Sequence, residues 1–394
     1  MKIALVSRMV EREGGVQRVV WEIAKRYAEQ GHQVHLYTNS CPELPHPSVV
    51  FHKVPMLMSR PFRKSQNPWV KAMQVWSFAW FSRMAVSRQK FDIVHVHGDS
   101  LAKADVRSAH SCHKAWIKYE LSRDSSVGNV LKKRLNPLHS IVLLIEYYNY
   151  SLKGVSKILS DSGSVKQQIV ETYHINEDRI DVVPTGVDCK EFVVPNDFDI
   201  FHFRQRHDIP NEAEVMTFIG WEFGRKGLST LLEAMSKLPS DLNHLLVVGG
   251  DNEKPFIKQA NNLGIAYRVH FVGAQADFRP YLWGSDIFVL PTRYDPCPLV
   301  VWEAMAAGLP VIVSKCAGNS EWLEDGVEGY LLDNPFDAME LACAISRIFC
   351  DTKVLSKMGE TAQQKAKAVD WDRVVEMTLK VYESIVEGRA LSRP

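Results

Sequence analysis

The chain is 394 residues long, which suits two domains of about 180 to 200 residues each. Apolar residues make up 46% of it, enough to bury two sizeable cores, and 47 basic residues against 46 acidic ones leave a formal charge of +1. That balance excludes a global field for nucleic acid or for an acidic partner, so any basic feature has to be local.

The seven cysteines (Cys41, Cys112, Cys189, Cys297, Cys316, Cys343 and Cys350) are odd in number, scattered, and form no C-x-x-C pair. A zinc ribbon or thioredoxin-like site is therefore not expected, and reduced thiols in a cytosolic protein are. The N-terminus, Met1 to Ser7, turns polar too soon for a signal peptide and reads as a first strand. No run of 18 apolar residues occurs, so no membrane span is expected.

In chain order, Lys2 to Ser7 is a buried-type strand and Glu13-Gly14-Gly15 a turn. Val16, Val19, Val20, Ile23, Ala24 and Tyr27 then repeat at the spacing of one helix face, which Gly31 ends. His32 to Thr38 is the next strand. A βαβ unit of this kind predicts a parallel sheet. Strand-like runs continue at Ile93 to His97, Lys157 to Ser160 and Ile180 to Pro184. A second series holds Val215 to Gly220, Leu245 to Gly249, Val269 to Gly273, Ile287 to Pro291, Pro310 to Ser314 and Gly329 to Asp333. Helical patterns at Leu228 to Leu238 and Pro298 to Ala307 lie among them. The polar, irregular stretch from Val187 to Asn211 separates the two series. The expected class is α/β, with two doubly wound Rossmann-like domains facing across a cleft, and ligands beyond the carboxyl ends of the strands. The expected division is 1–188, 189–369 and a C-terminal segment 370–394.

One stretch breaks the alternation. Between residues 57 and 90 stand Arg60, Arg63, Lys64, Lys71, Arg83, Arg88 and Lys90, no acidic residue, and interleaved Trp69, Trp76, Phe78, Trp80 and Phe81. This composition suits an anionic membrane surface. It also suits a core helix whose basic residues face solvent. Lys132-Lys133-Arg134 is a second basic cluster.

Four constellations carry possible chemistry. In the first, Asp295 precedes a helix that Pro298 opens and Gly308 ends, and Glu303 lies more than one turn inside it. Free N–H groups of Leu299, Val300 and Val301, with the helix dipole, make an anion site. The bland reading is an amphipathic helix with one solvated Glu. The second is Gly220 to Gly227, with Arg225 and Lys226 adjacent on a glycine-flanked turn after a strand. Crowded cations there suit a diphosphate, to which Arg offers a two-pronged donor. In the third, Gly14 and Gly15 let a phosphate approach a helix start, although G-x-G-x-x-G is absent. The fourth is His110 with His113, a possible metal spacing that lacks a third ligand. Two D-x-D patterns, Asp197-Phe198-Asp199 and Asp370-Trp371-Asp372, read as a loop and a helix start rather than as metal sites.

Together these segments resemble the family 4 retaining glycosyltransferases of the GT-B fold. The family hallmark is two acidic residues eight apart, then a small-residue helix end and Pro-Val; here these are Asp295, Glu303 and the run to Pro310-Val311. The Gly224 to Gly227 turn, Val183 to Asp188, Gly318 to Gly329 and Trp371-Asp372 match as well. Phe223 to Gly227 and Gly14 to Arg18 look most like the bacterial lipopolysaccharide core glucosyltransferases.

The resemblance implies a UDP-sugar donor, glucose or a related hexose, and a saccharide or glycolipid acceptor of lipopolysaccharide-core type. It also implies a final helix crossing back to the first domain. Arg225 and Lys226 would bind the diphosphate, Glu303 the ribose hydroxyls, Asp295 the sugar near its anomeric carbon, and Gly15 a phosphate. His110 matches a position beside the donor sugar. The first acidic residue is commonly Glu in the family and is Asp here, shorter by one methylene. Transfer would retain configuration by same-face attack, with no cofactor and no metal, in the cytoplasm or peripherally on the inner face of the cytoplasmic membrane. The rival expectations are a UDP-sugar epimerase of the same architecture and a non-catalytic sugar-nucleotide binding protein. A periplasmic binding protein is disfavoured by the N-terminus.

Overall fold

A computed structural model describes residues 1–58, 65–123, 125–151 and 157–391. The chain forms two compact units, one made of Met1–Thr185 with the segment from Trp371 onward, the other of Gly186–Asp370.

The first unit carries strands β1 (Lys2–Val6), β2 (Gln33–Thr38), β3 (Val50–Lys53), β4 (Ile93–His97), β5 (Val106–Ala109), β6 (Lys157–Ser160) and β7 (Ile180–Val182). They form one parallel sheet in the order β3-β2-β1-β4-β5-β6-β7. Ile3 to Val6 are fully buried, as in a strand covered on both faces. The helix Val16–Glu29 buries Val19, Val20, Ile23, Ala24 and Tyr27, the stripe legible in the sequence. The C-terminal helix Trp371–Leu391 belongs to this unit and packs on Val16–Glu29. It buries Trp371, Val374, Val375 and Tyr382. The Arg26 Nε donates to Asp372 at 2.8 Å, and the Tyr382 hydroxyl lies 2.5 Å from His95 Nδ1.

The second unit carries β8 (Glu214–Ile219), β9 (Asn243–Val248), β10 (Val269–Gly273), β11 (Ile287–Leu290), β12 (Val311–Ser314) and β13 (Gly329–Leu332). They form a parallel sheet in the order β10-β9-β8-β11-β12-β13. The order reverses at β1/β4 in the first sheet and at β8/β11 in the second. Chains diverge to opposite faces at such a point, and this opens a crevice beyond the carboxyl ends of the two strands.

Three features depart from the sequence reading. β3 is an edge strand with mostly exposed residues, so it lacks an apolar run. β5 is four residues with Arg107 and Ser108 buried, so it lacks alternation. Residues 113–151 hold three helices, His113–Arg123, Val127–Arg134 and Pro137–Ser151, where no element was expected.

The aromatic basic stretch is mainly the helix Pro68–Val86. It buries Ala72, Val75, Phe78, Ala79 and Val86, and it exposes Trp69, Met73, Trp76, Trp80 and Met84. Arg60, Arg63 and Lys64 lie outside the described residues. Among the described residues no helix is long and apolar enough to cross a membrane.

Candidate active site

In the second unit, β8 runs into Gly220-Trp221-Glu222 and then a short helix, Phe223–Lys226. The expected open turn is thus one helical turn. Phe223 anchors it: the ring is fully buried between Phe218 and Phe256, and its N–H donates to Asp251 at 2.8 Å. Glu222 enters the turn with φ of +57°, an uncommon value for a side-chain-bearing residue. Gly227 leaves it with φ of +87°, and a Cβ there would meet the Pro291 carbonyl oxygen at 2.0 Å. These constraints aim Arg225 and Lys226 at the start of the loop after β11.

Asp295 stands there. Its Oδ2 accepts a hydrogen bond from Lys226 Nζ at 2.9 Å and from Arg225 Nη1 at 3.2 Å. Arg225 Nε also donates to Glu222 at 2.7 Å, and Nη1 donates to the Tyr294 carbonyl. The sequence suggested two unbalanced cations; the structure balances them in part with Asp295 and the exposed Glu222. Burial works to lower the Arg225 pKa, and Asp295 followed by Glu222 more than offsets it, so the net shift is upward. Asp295 is held by its own backbone, since its N–H donates to the Cys316 carbonyl at 3.2 Å and its carbonyl accepts from Gly318 N–H at 2.8 Å.

The helix Leu299–Ala306 begins beside this cluster, with Pro298 as the residue before its first turn rather than in it. The Val301 N–H is occupied by the Pro298 carbonyl at 3.2 Å, which removes it from the expected anion site. Among the described residues no acceptor sits on the Leu299 and Val300 amides. Two donors, not three, point out of this helix start. Glu303 is only 4% exposed, which excludes a solvated helix carboxylate.

The other two expected residues lie in the first unit. Gly15 precedes the helix Val16–Glu29, and a Cβ there would meet nothing within 4 Å, so the backbone is open to approach. His110 follows β5. Because β4, β5 and β6 are neighbours, their carboxyl ends bring His97, His110 and Asp161 into one row. His110 Nδ1 lies 2.8 Å from Asp161 Oδ2, and Nε2 lies 3.1 Å from His97 Nδ1. With Asp161 accepting from Nδ1–H, His97 donates its Nδ1–H to His110 Nε2. That leaves the buried His97 Nε2 without a partner among the described residues. Burial, then His95 and His110, push the His97 pKa well down, so its ring is neutral. His97 and Asp161 were missed in the sequence; their only signal was a polar residue at the end of an apolar strand.

His113 does not join His110. Its Nε2 faces His139 Nδ1 at 3.1 Å and its ring stacks on Trp116. Among the described residues no three His, Cys, Asp or Glu side chains gather to hold a metal ion. In the D-x-D patterns, Asp199 caps the helix Ile200–Arg206, Asp370 accepts from Cys189 N–H at 3.3 Å, and Asp372 pairs with Arg26.

Residues 13–191 match the family described as Glycosyltransferase Family 4, and residues 199–365 match Glycosyl transferases group 1. The chain is 24% identical over 386 residues to the lipopolysaccharide glucosyltransferase WaaG of Escherichia coli K12, a match covering 95% of this chain and 96% of that one. The crystal structure of WaaG, a glycosyltransferase involved in lipopolysaccharide biosynthesis, is similar with a TM-score of 0.77 at 20% identity, over 96% of this chain and 99% of that one. The structure of Anabaena Alr3699/HepE in complex with UDP-glucose is similar with a TM-score of 0.70 at 19% identity, over 98% of this chain and all of that one. The two units, their parallel sheets and matches that run through both halves lead to one conclusion: the chain belongs to the family 4 glycosyltransferases and is a glycosyltransferase of the GT-B fold.

Proposed function

We propose that the enzyme transfers a hexose, glucose or a close relative, from a UDP-sugar to a saccharide acceptor of lipopolysaccharide-core type, with retention of configuration. The observation that carries this is the convergence of Arg225 and Lys226 on a single oxygen of Asp295 at the carboxyl end of a doubly wound sheet. As the donor's glycosidic bond breaks, negative charge grows on the departing diphosphate. Arg225, Lys226 and the Leu299 and Val300 amides stabilise it, a task for fixed donors in a site with little water. The two side-chain cations supply this charge without a resident cofactor or metal. Asp295, once released from them, accepts from sugar hydroxyls, and Glu303 takes the ribose. The acceptor hydroxyl attacks the face the diphosphate leaves, and a phosphate oxygen takes its proton. The similarity to WaaG, a lipopolysaccharide glucosyltransferase, and to HepE, whose structure holds UDP-glucose, supports the choice of donor and acceptor.

In this reading Gly15 admits a phosphate and His110 meets the donor sugar. For Nε2 to reach a hydroxyl, His97 has to give up its bond. We also propose that the helix Pro68–Val86 rests on an anionic membrane, which would place the enzyme at the inner face of the cytoplasmic membrane. The support is a row of exposed Trp69, Met73, Trp76, Trp80 and Met84 with Arg83, Arg88 and Lys90 nearby.

The test of the donor site is Lys226→Ala. Turnover of UDP-sugar should fall by about a hundredfold or more, the scale of losing one fixed donor to a leaving anion. The fold should persist, since Arg225 remains beside Asp295. Near-normal turnover in this variant would sink the diphosphate assignment.

A further inference from the structure

Trp221 is an exposed tryptophan on a fixed seat. It follows Gly220 at the carboxyl end of β8 and is 61% exposed. Its ring nevertheless lies on bare backbone. A Cβ at Gly250, just past β9, would come within 2.5 Å of the indole Cη2 and 2.7 Å of Cζ3. The adjacent Gly249 is packed as tightly, since a Cβ there would meet the Gly220 carbonyl oxygen at 1.9 Å. Gly220 itself carries the stem of Lys226, whose Cδ would lie 2.4 Å from an added Cβ. Beyond them the Gly249 N–H donates to the Gly273 carbonyl at 2.9 Å, and a Cβ at Gly273 would enter open space. The carboxyl ends of β8, β9 and β10 thus form a terrace of glycines. Lys226 lies on it as a cation, the buried Phe223 ring lies against Gly249, and Trp221 lies on it as a flat apolar plate.

A tryptophan kept only for packing would be turned into the core, as Trp302 and Trp371 are. Trp221 instead is largely exposed, with one edge of its ring set against the backbone at Gly250. An immobilised aromatic surface loses little entropy on stacking. It stands next to the diphosphate-binding cations, on their β9 side, while Asp295 stands on their β11 side. A nucleotide sugar is linear, with the base and the sugar at opposite ends of the diphosphate. If the sugar lies toward Asp295, the base lies toward β9 and β10.

We propose that Trp221 is a donor-binding residue, the plate on which the heterocyclic base of the nucleoside diphosphate stacks. The proposal rests on the reading of Arg225 and Lys226 as diphosphate ligands. Stacking is tolerant of base identity because every base has a π-face, so Trp221 supplies affinity for a nucleoside over a bare diphosphate. Choice among bases falls to groups at the rim.

Calorimetric titration of the full chain with UDP and with inorganic pyrophosphate separates the two parts. Pyrophosphate carries the anion without the base. Trp221→Ala should weaken UDP about tenfold or more, the scale of one lost base–aromatic stack, and leave pyrophosphate unchanged. Trp221→Phe should retain most of the UDP affinity. Unchanged UDP binding in Trp221→Ala would overturn the proposal. So would equal losses for UDP and pyrophosphate, which would make Trp221 a support for the cation turn. A raised acceptor KM with unchanged UDP affinity would assign the plate to the acceptor sugar and overturn it too. A wild-type chain that binds neither probe would instead remove the diphosphate reading on which the proposal stands.

Discussion

One oxygen of Asp295 accepts from two cations, so any incoming anion competes with a carboxylate already in place. The pairing joins residues 69 and 70 positions apart. Nothing local in the sequence reports it, although the acidic pair eight apart and the adjacent Arg225-Lys226 were both legible. The same holds for His110. The sequence marks the residue, but its bonds to Asp161 and His97 come from strand order and not from spacing. His95 and His97, fully buried on β4, make a pH prediction at this scale. Burial first, then charged neighbours, lower the His95 pKa to about 3 and that of His97 well below its ordinary value. Both are bases with depressed folded values. Their contribution is therefore complete above about pH 6.5, the unfolded value, and is lost as pH falls toward the folded value, because only the unfolded chain takes up protons. His95 should thereby remove about 1.6 kcal/mol of stability between pH 6.5 and 5, where the limiting slope is about 1.4 kcal/mol per unit, and His97 acts in the same direction. Urea melts of wild type and His97→Asn across that range check this. The variant should lose less stability than wild type over that range, and parallel curves would contradict it.

At the scale of elements, most strands were legible because a strand buried on both faces is a run of apolar residues. β5 was not, because Arg107 folds into the core and donates to the carbonyls of Ser100 and Ala102, which a hydrophobicity pattern cannot anticipate. The helices of 113–151 escaped for the opposite reason. His113–Arg123 and Val127–Arg134 bury no residue fully, so no inward stripe marks them. The helix Pro68–Val86 shows apolar residues on both sides; one set is core, and the other meets solvent, as do Leu144 and Tyr147 of the helix Pro137–Ser151 packed on it. That outer set gives the membrane proposal its test. The full chain should cosediment with phosphatidylglycerol vesicles at low salt and not with phosphatidylcholine vesicles. Binding should weaken at high salt, where charges farther apart than a few ångströms are screened. Trp76→Glu with Trp80→Glu should abolish it while donor binding is kept. No binding to anionic vesicles at low salt would remove the idea.

At the scale of the whole molecule, the first unit is built from both ends of the chain and the second from the middle. Val187 N–H bonds the Val369 carbonyl at 3.1 Å, so the second unit begins and ends at adjacent positions. A chain ended at Asp370 loses the buried Trp371, Val374, Val375 and Tyr382. At about 1.5 to 3 kcal/mol for each large apolar side chain, the loss rivals the whole stability of a domain, about 5 to 15 kcal/mol. Hydrogen exchange should rise throughout β1 and β4 and stay slow in β8 to β12, and pyrophosphate should still bind. Slow exchange preserved in β4 would contradict this account of the C-terminal helix.

The interrupted first unit also sets an order of assembly during translation. Its sheet is synthesised before the second unit, but the helix that covers β4 emerges only after the whole of that unit. At about 5 to 20 residues per second, the roughly 200 intervening residues take about 10 to 40 s. For that interval the Tyr382 partner of His95 does not yet exist, so a sheet made before the second unit is completed only after it.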